Sequence, residues 1–197
     1  MKQSNQLLKR FLDIILSLFS LLLIWWLLIL LIIISSIDTK HFGLFTQKRV
    51  GKHANLFSMF KIRTMTVSKN KSTVTTLKDP RITPFGSLLR KYKLDELPQL
   101  VNVLIGNMSF VGPRPDVIGF ADELKGEDQI ILSIKPGITG PASVYFKNEE
   151  SLLAQQENPE VYNRNVIWPK KVEINKEYIK NYSIFNDMKY IIKTIIG

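Results

Sequence analysis

A mixed α/β fold, more helical than stranded and tied to a membrane by its N-terminal segment, is what three features of this 197-residue chain predict. Ile14 to Ile34 is an apolar run broken only by Ser17 and Ser20. Two short apolar segments, Phe42 to Gln47 and Leu56 to Ile62, then alternate with basic residues. From Thr83 onward, apolar residues recur at helical spacing between proline and glycine punctuation.

The first element is the apolar run, which as helix would extend about 30 Å, the thickness of a bilayer's hydrocarbon. It is too long for a typical signal-peptide core and has no small-residue cleavage pattern after it. Nothing on it offers the polar face that a soluble helix would present. Lys2, Lys9 and Arg10 precede it and Lys40, Lys48, Arg49 and Lys52 follow, so the charge asymmetry of a simple crossing is absent. Two topologies stay open, a spanning helix and a re-entrant one with both ends on one face. The second requires a bend, yet no Pro or Gly lies between Met1 and Asp38, which leaves Ser17 and Ser20 as the bending devices. Asp13 is expected to pair with Arg10 or Lys9 at headgroup depth. Residues 1–38 are thus expected as a membrane helix and 39–197 as one folded domain, with about 160 residues to build its core.

The second and third elements are the two apolar segments, expected as strands with a turn at Gly51. Val67 to Leu77, rich in Ser, Thr and Lys without periodicity, reads as an exposed loop. Thr83-Pro84 supplies a capping hydroxyl and a first-turn proline for a helix carrying Phe85, Leu88, Leu89 and Tyr92. A second helix is expected from Asp95 to Gly106-Asn107, with Leu97, Leu100, Val101, Leu104 and Ile105 on one face. Phe110 to Pro115 cannot be helical, because two prolines bracket Arg114 and hold it extended. Pro136 to Pro141 reads as a rigid turn, and Lys147 to Gln156 and Val172 to Tyr182 as helices. The C-terminal stretch through Tyr190 and Ile192 mixes aromatic, aliphatic and lysine residues, which suits an interfacial amphipathic helix and a core helix equally.

Composition limits the chemistry. There is no cysteine, which excludes disulfides, thiolate metal sites and a Cys nucleophile, and two histidines are too few for a His-rich centre. Any metal is therefore a hard cation on oxygen ligands, with Mg²⁺ the first choice. The net charge of +10 is concentrated, since Lys40 to Lys93 holds thirteen Lys or Arg and one acid, Asp79. Such a block suits lipid headgroups, phosphorylated substrates or nucleic acid. Asp95 and Glu96 follow Arg90, Lys91 and Lys93, an arrangement that holds a cation and a phosphate together and that an ordinary capped helix would show as well.

Taken in order, Lys61-Ile62-Arg63-Thr64-Met65, Asp79-Pro80-Arg81-Ile82-Thr83, Leu94-Asp95-Glu96-Leu97-Pro98-Gln99-Leu100, Gly106-Asn107-Met108-Ser109-Phe110-Val111-Gly112-Pro113-Arg114-Pro115 and Lys135-Pro136-Gly137-Ile138-Thr139-Gly140 resemble the bacterial sugar transferase family, the small monotopic phosphoglycosyl transferases. The resemblance covers nearly the whole chain. It implies transfer of a sugar 1-phosphate from a UDP-sugar to polyprenyl (undecaprenyl) phosphate, initiating synthesis of a capsule, exopolysaccharide or other glycoconjugate. Asp95 would be the nucleophile, forming an acyl phosphate, and Glu96 its metal-associated partner, with Mg²⁺ held by both. Arg114, Pro113, Arg90, Lys61 and Arg63 match positions that would contact the substrate's phosphates or nucleotide, and Asp79 with Arg81 would form a supporting ion pair.

The resemblance also implies a bacterial inner membrane location with the active site on the cytoplasmic face, membrane lipids as partners rather than nucleic acid, and room for downstream glycosyltransferases and a homodimer. Two departures stand out: Trp25-Trp26 occupy about the place where the family commonly turns its membrane helix with Ser-Pro, and Pro141 to Glu150 differ from the usual continuation of the Thr-Gly turn. That second stretch is expected to help select the sugar. The competing expectation is a membrane-tethered basic binding module for anionic lipid or nucleic acid, which accounts for the charge block and leaves Asp95-Glu96 without a role.

Overall fold

A computed structural model describes residues 3–67 and 79–196, so of the loop expected over Val67 to Leu77 only Val67 falls within the described residues. The chain is mostly helical with two small sheets. Helix α1 (Gln3–Thr39) is followed by strands β1 (Leu44–Val50) and β2 (Leu56–Ile62), then α2 (Pro84–Lys91), α3 (Gln99–Ile105) and β3 (Ser109–Val111). After a long connection come β4 (Gly137–Thr139), α4 (Pro141–Tyr145), α5 (Glu149–Ala154), α6 (Pro159–Tyr162), α7 (Trp168–Lys180) and α8 (Ile184–Ile196), with a π-helical turn joining α6 to α7.

Helix α1 is unbroken, as its lack of Pro and Gly dictates. Asn5–Thr39 is long and apolar enough to cross a membrane, and only 11 % of its most apolar window is buried, so it is no core helix. Phe19, Leu22, Trp25, Trp26, Ile29 and Ile33 project outward. Its inward face instead carries small and polar residues: Asp13, Ser17, Ser35 and Thr39 are buried together with Leu31. Ser17 makes the expected bond back to the helix, donating to the Asp13 carbonyl at 2.6 Å. Both ends of α1 dock on the same folded domain. At the N-terminal end Arg10 bonds to α3 and Asp13 to β3; at the other, Leu31 packs on Ile62 and Leu89, and Ser35 donates to the Arg63 carbonyl at 2.5 Å.

Strands β1 and β2 pair antiparallel from Leu44↔Ile62 to Val50↔Leu56, so β1 runs three residues beyond the expected segment. Beyond the hairpin, Asn102 of α3 accepts from Phe60 N at 3.0 Å and donates to Ser58 O at 2.8 Å, a two-way clamp between helix and strand. The Thr83 hydroxyl caps α2 by accepting from Gly86 N at 2.9 Å, as the Thr-Pro start predicts. Pro136 to Pro141, expected as a turn, contains β4, which pairs parallel with β3 through Ser109↔Gly137 and Val111↔Thr139. A three-residue strand between prolines and glycines has too little periodicity to be legible.

Three apolar clusters hold these elements. Leu31, Ile62 and Leu89 fasten α1 to the hairpin and α2; Phe57, Met59, Val103 and Met108 join hairpin and α3; Val111, Ile131, Val172 and Ile179 with their neighbours form the core under α7. Helix α8 has two faces: Tyr190 and Ile191 pack on the core, as a core helix would, while Phe185, Met188, Ile192 and Ile195 are exposed.

Candidate active site

The chain reverses after α2 at Lys93, whose φ of 55° is left-handed, a conformation unfavourable for a lysine by about 1 kcal/mol or more. A single 3₁₀ turn, Leu94–Glu96, follows and carries both carboxylates into the gap between α2 and α3. This corrects the expected helix start at Asp95: α3 begins at Gln99 with Pro98 before it, and neither Asp95 nor Glu96 caps a helix. The ordinary capping explanation of the pair is therefore excluded.

The Glu96 Oε1 atom accepts from Lys61 Nζ of β2 at 2.9 Å and from Arg114 Nη2 at 2.8 Å. Burial favours its neutral form, but Arg114 and Lys61 outweigh it and hold the carboxyl well below the usual range. Arg114 is pushed correspondingly above its ordinary value, chiefly by Glu96. Asp95 differs. It is 7 % exposed and has no hydrogen-bond donor among the described residues. Burial raises its pKa, with Lys61 and Arg90 pulling it down and the Glu96 charge pushing it further up.

Arg114 is delivered by interlocking backbone. Gly112 N donates to Thr139 O at 2.9 Å and Gly137 N to Pro113 O at 2.8 Å. A Cβ on Gly112 would lie 2.5 Å from Lys135 O, and one on Gly137 would lie 2.2 Å from Gly112 N, so only glycine allows this approach. The Gly-Pro-Arg-Pro and Pro-Gly-Ile-Thr-Gly segments are thus two halves of one support. Pro113 acts here through its carbonyl, as a brace.

Of the other residues expected at the site, Arg90 pairs with Glu150 at the start of α5 and stands close enough to favour the charged form of Asp95. Arg63 is not brought in: its Nε donates to Phe42 O at 2.9 Å and its guanidinium stacks over the Phe45 ring. Asp79 and Arg81 form a two-point pair at 2.6 and 2.9 Å. Asp13, expected to pair with Arg10 or Lys9, instead accepts from Ser109 and Phe110 of β3, because Arg10 is drawn to the α3 carbonyls and Lys9 to Asp187.

Two groups were missed by the sequence reading. Arg49 donates to Pro115 O at 3.3 Å and to Gln47 Oε1 at 2.7 Å, while its buried Nε finds no partner among the described residues. Burial, and then the Arg114 charge, push it down to about 10. Asp116 is pushed up to about 6 by burial, against Lys171 and Arg49. Strand periodicity held a clue, since Gln47 and Arg49 share one face of β1. Glu149 pairs with Lys171 of α7 at 2.7 Å, so the adjacent Glu149 and Glu150 tie the divergent stretch to α7 and α2.

Among the described residues no three His, Cys, Asp or Glu side chains converge as a full metal cage. Asp95 and Glu96 nevertheless fit Mg²⁺, which is held by one or two carboxylates and completes its shell with substrate phosphates and water. Asp95 has a carboxylate without donors to offer.

The family model described as "Bacterial sugar transferase" matches residues 4–197. The chain is 36 % identical over 200 residues to the UDP-glucose:undecaprenyl-phosphate glucose-1-phosphate transferase of Escherichia coli, covering 97 % of this chain and 40 % of that protein. It is 32 % identical over 189 residues to an uncharacterized sugar transferase of Bacillus subtilis, covering 96 % and 86 %. It is 32 % identical over 210 residues to the undecaprenyl-phosphate galactose phosphotransferase of Salmonella typhimurium, covering 98 % and 40 %. The chain thus spans about two-fifths of two of these relatives and most of the third. The expected binding module finds no support in these matches. The chain belongs to the bacterial sugar transferase family.

Proposed function

We propose that this chain transfers a sugar 1-phosphate from a UDP-sugar to polyprenyl phosphate in the first membrane step of polysaccharide synthesis. The observation that carries the reading is the pairing of a buried, donor-free Asp95 with a Glu96 that holds Lys61 and Arg114 in place beside it. The relatives named above act on UDP-glucose or on galactose phosphate with undecaprenyl phosphate as carrier, which supports the donor and acceptor classes and leaves the sugar open.

In the first step an Asp95 carboxylate oxygen attacks the β-phosphorus of the donor. The bond from that phosphorus to the bridging oxygen breaks, UMP leaves with the electron pair, and the sugar 1-phosphate remains on Asp95 as an acyl phosphate. In the second a phosphate oxygen of the lipid attacks the same phosphorus and frees the carboxylate. Splitting the transfer lets one site serve a soluble donor and a lipid acceptor in turn. Burial makes Asp95 a better nucleophile by stripping it of hydrogen-bonded partners, and Lys61 and Arg114 offset phosphate charge. Mg²⁺, when bound at Asp95 and Glu96, supplies further neutralisation of the diphosphate against the attacking anion.

The lipid half of the reaction accounts for the anchor. Both ends of α1 rest on the domain that carries the site, and a perpendicular crossing would part them by about 30 Å of hydrocarbon. We therefore read the unbroken α1 as lying against the membrane from the domain's side only, its outward apolar face in lipid, with the exposed face of α8 at the interface. The basic flanks at both ends of the run favour the cytoplasm for that side. The test is UMP release by detergent-solubilised protein with Mg²⁺, undecaprenyl phosphate and a panel of UDP-sugars. Lipid-dependent release of many UMP per protein with one donor, lost in Asp95→Asn, supports the reading; release that persists in Asp95→Asn overturns it.

A further inference from the structure

Three charged residues in the first turns of α1 grip three separate parts of the folded domain. Arg10 donates to the carbonyls of Val103 and Leu104 at 2.6 and 2.8 Å, the first of which also accepts from Gly106 N at 3.0 Å, and its charge counters the negative end of α3. Asp13 Oδ1 accepts from the Ser109 hydroxyl and the Phe110 N–H, both at 3.1 Å. Lys9 pairs with Asp187 of α8 at 2.5 Å, and Asp187 also accepts from the hydroxyls of Tyr178 and Tyr182. Asp13, Ser109 and Asp187 are all at most 6 % exposed, so these bonds lie inside the protein and not at its wet rim.

Position gives the contacts their meaning. Helix α3 begins three residues after Glu96, and β3 ends three residues before Arg114. On one edge β3 pairs with β4; on the other, the Phe110 N–H would be a bare donor if Asp13 did not accept from it. The carboxylate of Asp13 therefore takes the place of a third strand and fixes where β3, and with it the Pro113-Arg114 loop, stands relative to α3. We infer that Asp13 is a positioning residue of the active site: the membrane helix, by accepting from Ser109 and Phe110, sets the placement of Arg114 against Glu96. The inference rests on the transferase reading above. It makes α1 a structural wall of the catalytic frame as well as an anchor.

What Asp13 supplies is an acceptor, so Asp13→Asn, whose amide oxygen also accepts, is expected to stay within about threefold of the wild-type kcat, whereas Asp13→Ala loses about tenfold or more. The loss falls on kcat, with KM for the donor little changed, because a displaced Arg114 forfeits contacts tightened in the transition state. Wild type, Asp95→Asn, Asp13→Asn and Asp13→Ala are assayed together with the cognate UDP-sugar, and folding of each is checked by thermal unfolding in detergent. An inactive wild type defeats the transferase reading. An active wild type with unchanged kcat in folded Asp13→Ala overturns the inference, as does equal loss in Asp13→Asn and Asp13→Ala. Should Asp13→Ala not fold, Ser109→Ala removes one of the two bonds while leaving only a hydroxyl-sized gap: a kcat lowered about threefold supports the positioning role and an unchanged kcat contradicts it.

Discussion

Asp95 and Asp187 are almost equally buried, at 7 % and 6 % exposure, and their surroundings could hardly differ more. Asp187 accepts from Lys9, Tyr178 and Tyr182, so its charge is neutralised and its oxygens are occupied. Asp95 has cations around it in Lys61, Arg90 and Arg114, yet no donor among the described residues bonds to it, and all three cations are held by Glu96 or Glu150 instead. Burying most of a charged residue without a protein donor is costly, and proteins keep such a group where an incoming ligand completes it. The difference separates an acid that holds the frame from an acid kept for chemistry.

The comparison breaks first at Asp95. Asp95→Asn is expected to lower UMP release by about 10³-fold or more, because the amide cannot form the acyl phosphate. Its thermal unfolding midpoint is expected to hold or rise, since a strained buried charge is removed. A large loss of stability would place Asp95 in the frame after all. Asp187→Ala is expected to do the reverse, destabilising by about 3 kcal/mol through the unpaired Lys9 left behind, read as a lower unfolding midpoint in detergent.

The sequence made the first of these acids legible and hid the second. Asp95 and Glu96 stand in a dense run of motifs, and their neighbours Lys61 and Arg114 belong to the same pattern. Lys9 and Asp187 are 178 positions apart, and nothing in local spacing connects them. Asp13 looked like a partner for its helical neighbours because helix geometry was all that the sequence offered, while the competing donors on β3 exist only after folding. Arg63 lies two residues beyond Lys61, but past the end of β2 the chain turns and Arg63 donates to the Phe42 carbonyl, a partner no local pattern announces. The long helix and the hairpin were legible because their patterns are local; β4, three residues among prolines and glycines, was not.

Acidity sharpens the same contrast. Asp95 must be ionised to attack, and burial sets its pKa above the ordinary aspartate range, so kcat/KM is expected to fall about tenfold per pH unit below that raised value. Glu96 acts oppositely on stability. Its depressed pKa stabilises the fold at and above the usual glutamate range, and this contribution is lost only when the pH drops toward the lowered folded value. The raised Asp95 value works against the folded state as pH rises from the ordinary aspartate range through the folded pKa. Acidification should therefore remove activity before it unfolds the protein, and simultaneous loss of both would show that Asp95 is not the group titrating.

The smallest effect belongs to Arg63→Ala. With its guanidinium over Phe45 and bonded to Phe42, it is expected to leave KM for the UDP-sugar within about twofold, a surface-scale change. A tenfold rise in KM would return Arg63 to the phosphate-binding set.

The claim at the centre is that Asp95 becomes covalently loaded, and intact-protein mass spectrometry after incubation with Mg²⁺ and the cognate UDP-sugar, without lipid acceptor, measures it directly. The expected result is a mass increase of one sugar phosphate, absent in Asp95→Asn and discharged on adding polyprenyl phosphate. Turnover in the complete reaction with no adduct on the protein, and UMP release only when both substrates are present, would contradict it and point to direct transfer between donor and lipid.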